Sequence, residues 1–137
     1  MSEKVEFELV SPERLLVSES VEMVVVPGAE GDFGVLAGHA STVSSIRPGV
    51  LAVIEDGAVT SRVFLSGGFA EVTPERCTVL ADDATALEDL NRAEIEKSIS
   101  DLRDDVSAAR NEAEQEAAEK ALAVAEAKIA ALDSTIY

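Results

Sequence analysis

Cysteine, histidine, aromatic and basic residues are all scarce in this sequence of 137 residues. It contains one Cys, one His and no Trp, and aromatic residues make up 4% of it. The single cysteine, Cys77, excludes an internal disulfide, and its neighbours in CTVLA predict a buried, inert thiol. The single histidine, His39, cannot form a zinc site without further His or Cys ligands, so we expect no metal.

Positive charge is scarce as well. Eleven Lys and Arg stand against 27 Asp and Glu, a net charge of -16, which repels nucleic-acid phosphates and anionic lipids. No apolar run approaches the roughly 20 residues that span a bilayer. The start, MSEKVEFEL, has neither the basic residues nor the apolar core of a signal peptide. We therefore expect a soluble protein of a reducing compartment, with no nucleic-acid partner and no direct membrane insertion.

Glycine and proline are absent from the second part of the sequence, since the last Gly is Gly68 and the last Pro is Pro74. Before that point, VEFEL alternates apolar and acidic residues with the period of a strand that has one wet face. Further strands are predicted in VEMVVVPG, GVLAVIEDGAVTSRVFLSGG and RCTVLAD, with a hairpin signal at Asp56-Gly57. We predict an all-β sandwich or flattened barrel over residues 1–84.

Residues 85–137 are predicted to form an α-helical hairpin of two antiparallel helices, at about 91–110 and 112–132. Asn91 is followed three residues later by Glu94, and Asn111 by Glu114, the spacing of a helix-capping box. Each cap precedes a seam of apolar residues that recur at alternating intervals of four and three positions. The second seam is mostly alanine, so we expect weak packing between the helices and a hinge at Asn111. The seams are Ile95, Ile99, Leu102, Val106 and Ala109, then Ala118, Leu122, Ala125, Ile129 and Leu132.

The stretch VVVPGAEGDFGVLAGHA, residues 24–40, holds four glycines and the only histidine. Its G-x-x-G-x-x-G pattern lacks the Lys and Ser or Thr of a P-loop, and Glu30 and Asp32 would repel phosphate. His39 could act as a base on Ser41 or Thr42, although these are adjacent only in sequence. Glycine and proline permit tight turns. We interpret the stretch as a rigid loop that presents a contact surface.

With these elements in place, the sequence resembles the epsilon subunit of bacterial F-type ATP synthases, in VPGAEGDFGVLAGHA, IRPGVLAVIEDG and FLSGGFAEVTPERCTVLADDA. The resemblance implies a non-catalytic rotor subunit of the central stalk that links the gamma subunit to the c-ring and couples proton flow to ATP synthesis. It implies a peripheral place at the cytoplasmic face of the bacterial plasma membrane. It also implies a loop facing the c-ring, with contact residues Glu30, Gly31, Asp32, Phe33, Gly34 and His39.

The resemblance further implies that the helical hairpin can extend toward the alpha and beta subunits and hinder ATP hydrolysis. Inhibitory members carry basic residues on the second helix, whereas residues 112–137 hold six acidic side chains and two lysines, a net charge of -4. We therefore predict weak inhibition or none. Some members bind ATP through a motif at the start of the first helix, which reads Ile or Leu, then Asp, two residues of any type, Arg and Ala. Aligned on the helix cap, Asn91, Glu94 and Ile95 occupy the positions of that Asp, Arg and Ala. A shift by two residues recovers Asp89, Arg92 and Ala93 but puts Glu88 at the apolar position and breaks the alignment with the cap, so no cofactor is predicted.

Two other classes of function remain open on the residues alone. One is a free-standing acidic binding module whose helical hairpin recognises a partner helix, with no motor involved. The other is a small enzyme that uses His39. Co-purification with gamma at equal stoichiometry separates a motor subunit from the free module.

Overall fold

The computed structural model describes residues 3–133, in two compact units divided between Leu87 and Glu88. Residues 1, 2 and 134–137 of the two predicted domains lie outside the described residues. The division falls slightly later than the predicted one because a short last strand, Ala84–Ala86, pairs with Ala58–Leu65 and so belongs to the first unit. Each unit is therefore described by itself.

The first unit is a single sheet of ten strands, mostly antiparallel. The strands are β1 (Val5–Val10), β2 (Leu15–Val21), β3 (Met23–Gly28), β4 (Gly31–Val35), β5 (Thr42–Ile46), β6 (Gly49–Glu55), β7 (Ala58–Leu65), β8 (Gly68–Val72), β9 (Arg76–Ala81) and β10 (Ala84–Ala86). In sheet order they run β10, β7, β6, β3, β5, β8, β9, β1, β2, with β4 paired to β3 and a parallel pair between β1 and β9. Strand β2 also contacts β6, so the sheet curls around one core, and the predicted sandwich or flattened barrel is confirmed.

The stretch interpreted as one loop is a β-hairpin followed by a short loop. Strands β3 and β4 pair from Val24 opposite Val35 to Gly28 opposite Gly31, and only Ala29 and Glu30 form the turn. Glycine is unfavourable in strands, which is why composition alone indicates a loop here. Strand pairing along β3 overrides that preference.

The core of the first unit is built from the inward-facing residues that alternate along its strands. Strand β1 shows the pattern, since Val5, Phe7 and Leu9 are buried while Glu6 is exposed. Cys77 belongs to this core, and as predicted its thiol is buried. Aliphatic residues supply nearly all the volume, as the scarcity of aromatics requires. The other fully buried members are Val21, Val24, Val26, Val35, Leu51, Leu65, Ala70, Val72 and Val79.

The second unit contains two helices, α1 (Arg92–Ala108) and α2 (Glu112–Asp133), which contact each other as the predicted hairpin. Asn91 caps α1, its side-chain oxygen accepting from the Glu94 amide at 3.1 Å. Asn111 does the same for α2 through the Glu114 amide at 2.9 Å. The seam residues named above are buried or half-buried, but among residues 88–133 only Ile95, Ala125 and Ala131 are buried. The packing between the helices is therefore thin.

Neither described helix is long and apolar enough to cross a membrane.

Candidate functional site

The β3–β4 tip, residues 28–32, is shaped by two glycines. Gly31 has a φ of +138°, which side chains rarely adopt. Opposite it in the ladder, a Cβ on Gly28 would lie 2.8 Å from the Gly31 carbonyl oxygen. The two strands can therefore approach closely only with glycine at both positions. The turn residues Ala29 and Glu30 are exposed at the end of the hairpin.

Arg47, between β5 and β6, joins both strands of the tip. Its Nη1 donates to the Gly28 carbonyl at 2.6 Å, and its Nη2 lies 2.5 Å from Oδ1 of Asp32. Its main-chain amide also donates to the Pro27 carbonyl at 3.0 Å. Arg47 was not among the predicted site residues, although IRPG was among the segments that carried the resemblance. Its contacts reach 15 to 19 residues back in the sequence, so no local pattern could indicate them.

The structure brings most of the predicted contact residues around one open groove of about 470 Å³ between β4 and β5. The rings of Phe33 and His39 pack with centroids 6.5 Å apart, tilted by 40°. Gly34 does not line the groove: a Cβ there would lie 2.1 Å from the Met23 methyl, so its place is in the packing of the hairpin. The groove is lined by Glu30, Gly31, Asp32, Phe33, His39, Thr42, Val43 and Ser44.

Among residues 3–133, none is placed to prepare His39 as a general base. It is half-buried in the loop after β4, where its Nδ1 lies 2.7 Å from the Ala40 carbonyl oxygen and donates to it. A base would instead need a hydroxyl or thiol partner and an orienting carboxylate. Within residues 3–133, no group of three or more Asp, Glu, His or Cys side chains is placed to hold a metal ion.

A second surface lies on the outer face of the sheet. Four apolar residues there are register neighbours on four successive strands, and we call this row the apolar stripe. They are Phe69 of β8, Leu80 of β9, Val10 of β1 and Leu15 of β2. Phe69, Leu80 and Leu15 are each more than half exposed. Contiguous exposed apolar surface of this kind marks interaction sites. The stripe was not predicted, because its residues are far apart in the sequence and only the register aligns them.

Asn91 and Asn111, the predicted cap and hinge candidates, both lie at helix starts and act there as caps. At α2 the cap is reinforced, since Oε2 of Glu114 accepts from the Arg110 amide at 2.9 Å. Farther along the hairpin, the Arg92 guanidinium at the start of α1 pairs with the Asp133 carboxylate at the end of α2. Exposed polar contacts therefore stabilise the hairpin both at the connection between its helices and at its open end.

The described residues thus form a β-sandwich with two candidate contact surfaces, followed in the chain by a helical hairpin. Residues 4–87 match the family model of the β-sandwich domain of the ATP synthase delta/epsilon chain, and residues 91–137 match that of the C-terminal domain of the ATP synthase epsilon chain. The protein belongs to the ATP synthase epsilon chain family.

Curated relatives carry the same name over nearly their full lengths. The ATP synthase epsilon chain of Rhodospirillum centenum is 52% identical over 134 residues, covering 94% of this chain and 92% of the relative. That of Rhodospirillum rubrum is 52% identical over 131 residues, covering 96% and 98%. That of Maricaulis maris is 50% identical over 127 residues, covering 93% and 95%.

Two solved structures are similar to this chain. One subunit in the cryo-EM structure of the Euglena gracilis mitochondrial ATP synthase OSCP/F1/c-ring assembly matches with a TM-score of 0.82 and 30% identity, covering 94% of this chain and 81% of that subunit. One subunit from the central stalk and c-ring of the Tetrahymena thermophila mitochondrial ATP synthase matches with a TM-score of 0.62 and 14% identity, covering 95% and 97%. The second match shows the fold alone.

Proposed function

We propose that this protein is a non-catalytic rotor subunit of an F-type ATP synthase, which links the gamma subunit to the c-ring and so couples proton flow to ATP synthesis. The observation that carries the proposal is the combination of family membership with two separate contact surfaces on one sandwich. A subunit that transmits rotation must bind each of its neighbours, and neither contact surface needs catalytic residues for that. The peripheral location that follows is the cytoplasmic face of the bacterial plasma membrane.

The β3–β4 tip is the proposed contact with the c-ring. Support comes from its shape, since the hairpin ends in an exposed two-residue turn and is fixed behind that turn by Arg47. A contact that must withstand torque benefits from a preorganised backbone, because little ordering entropy is lost on binding. The contact surface of the tip and its groove is provided by Glu30, Gly31, Asp32, Phe33 and His39. Gly34 supports the hairpin behind that surface.

The apolar stripe is the proposed contact with gamma. Support comes from its composition: Phe69 and Leu80 stand opposite each other with about half of each side chain exposed. An open groove of about 320 Å³ adjoins them. Aromatic and aliphatic anchors of this kind dominate binding energy when a partner covers them.

The helical hairpin is proposed to be a weak brake at most, and to bind no ATP. Helix α2 carries six acidic side chains and two lysines, so the acidic loop of the beta subunit that basic residues meet in inhibitory family members would repel it. Its mostly alanine seam also gives the hairpin little packing of its own. Transient contact of the hairpin with the alpha and beta subunits is compatible with this proposal, and lasting inhibition is not.

The gamma contact is tested by replacing both Phe69 and Leu80 with Ser and measuring how much gamma co-purifies with the tagged protein. We expect affinity to fall at least about tenfold, because hot-spot anchors contribute most of an interface's energy. The matched control is Leu36→Ser, which removes a half-exposed leucine outside the stripe and should leave gamma bound. Circular dichroism checks that both variants fold.

Two results would contradict the proposal in different ways. If the folded double variant retains gamma as well as the control does, the stripe is not the contact. If the unaltered protein does not bring down gamma at equal stoichiometry, the motor role itself fails, and the free-standing acidic binding module becomes the better explanation.

A further inference from the structure

Arg47 occupies a place in the fold from which it controls the β3–β4 tip. It follows the last residue of β5, and Gly28 of β3 pairs there with Ile46 of β5. The Ala29 amide donates to the Ser45 carbonyl at 2.8 Å, so the end of β5 lies directly beside the turn. From this position the side chain of Arg47 reaches across to both strands of the hairpin.

The contacts of Arg47 use the fork geometry of a guanidinium. One nitrogen binds a main-chain carbonyl on β3, and another binds a carboxylate on β4. Lysine has a single ammonium and cannot hold two acceptors in a fixed plane, so Arg and Lys are not equivalent here. The Arg47 and Asp32 side chains are 41% and 21% exposed, so solvent screens the ion pair and its main effect is on geometry.

The arrangement divides the two acidic residues of the tip into different roles. The Asp32 carboxylate is engaged by Arg47 within the same molecule. Glu30 is exposed in the turn and forms no ion pair with any residue the structure describes. A partner that approaches the tip therefore meets the charge of Glu30, with that of Asp32 largely neutralised.

We propose that Arg47 is the positioning residue of the β3–β4 tip: it fixes the turn through Gly28 and Asp32 and leaves Glu30 as the charge presented to the partner. The inference rests on the proposed function, in which that partner is the c-ring. It assigns Arg47 no direct contact with the c-ring.

The first experiment uses the full-length protein alone and measures amide hydrogen exchange at residues 28–32. In Arg47→Ala, the Ala29 amide should exchange roughly tenfold faster, because a charge-assisted hydrogen bond to the tip is lost. Arg47→Lys should restore protection only in part. The matched control, Arg76→Ala, removes another exposed Arg–carboxylate pair, with Glu8, and should leave exchange at the tip unchanged. Unchanged exchange in Arg47→Ala overturns the inference.

The second experiment measures binding of the gamma complex of each variant to the purified c-ring. Arg47→Ala should weaken binding at least as much as Asp32→Asn, because the second variant keeps the bond from Arg47 to the Gly28 carbonyl. The double variant should bind no more weakly than Arg47→Ala alone, because Asp32 acts through Arg47. Glu30→Gln should weaken binding further when added to either. Additive losses for Arg47 and Asp32 would overturn the positioning role.

The two experiments separate failure of the inference from failure of the function on which it rests. If exchange at the tip accelerates in Arg47→Ala but neither that variant nor Glu30→Gln alters c-ring binding, Arg47 orders the tip and the assignment of the tip to the c-ring is wrong. If Glu30→Gln weakens binding while Arg47→Ala changes neither exchange nor binding, the c-ring contact stands and the role of Arg47 is refuted.

Discussion

At the scale of single residues, Cys77 shows how burial controls chemistry. The thiol lies on the inward face of β9, and desolvation by burial raises its pKa from 9.0 to about 11. In the unfolded protein the thiol ionises first as the pH rises, so folding loses stability between about pH 9 and 11. A difference of this size corresponds to roughly 2–3 kcal/mol. Denaturant unfolding from pH 8 to 11 should therefore show a steeper loss of stability than in Cys77→Ala.

The same burial should make Cys77 unreactive in the folded protein, because the thiolate is the reactive form. A thiol reagent at pH 8 should modify it only as fast as the protein unfolds, and denaturant should accelerate the reaction. Rapid modification of the native protein, or identical pH profiles for the two proteins, would show that the site is open to solvent.

Residue-scale features of the site were predictable only where the signal is local. Glu30, Asp32 and His39 stand close together in the sequence, and the structure places them around one groove. Arg47 and the apolar stripe depend on pairing between distant strands, which a single sequence does not contain. The separate roles of Asp32 and Glu30 likewise follow only from the position of Arg47.

At the scale of elements, helix α2 depends on its cap. Asn111 accepts from the Glu114 amide, and Glu114 accepts from the Arg110 amide, so two otherwise unpaired donors are satisfied. Asn111→Ala should destabilise the start of α2 by about 1 kcal/mol. Hydrogen exchange at residues 112–116 should accelerate accordingly, while Glu116→Ala, an exposed position in the same turn of the helix, should have little effect.

Elements with strong local signals were predicted and elements without them were not. Asn91 and Asn111 indicated both helices through their capping spacing, and VEFEL indicated β1 through alternation. Strands β4 and β8 begin with glycine, and β2 mixes serine and glutamate among its apolar residues, so each resembles a loop or an edge. Those strands exist because neighbouring strands pair with them, and propensity alone does not reveal that.

At the scale of the whole molecule, charge sets what the second unit can do in an assembled enzyme. A variant that ends at Asp89 keeps the whole described sandwich and lacks both helices. We expect ATP hydrolysis by the ATP synthase with this shorter subunit to stay within about twofold of the enzyme with the full-length one, with proton-driven synthesis still coupled. A several-fold rise in hydrolysis would show that the acidic hairpin is an effective brake.

The electrostatic reason for that expectation can be tested on the full-length protein. Glu116 and Glu126 are exposed on α2, and replacing both with Lys changes the balance of that helix from six acidic and two basic residues to four and four. If repulsion keeps the hairpin from the alpha and beta subunits, hydrolysis should fall in this variant, and truncation after Asp89 should restore it. Replacing the same residues with Gln is the control, since it removes half of the charge change and should give a smaller effect. If hydrolysis is equal in all three full-length proteins, charge does not govern the hairpin, and its thin alanine seam becomes the remaining explanation for weak inhibition.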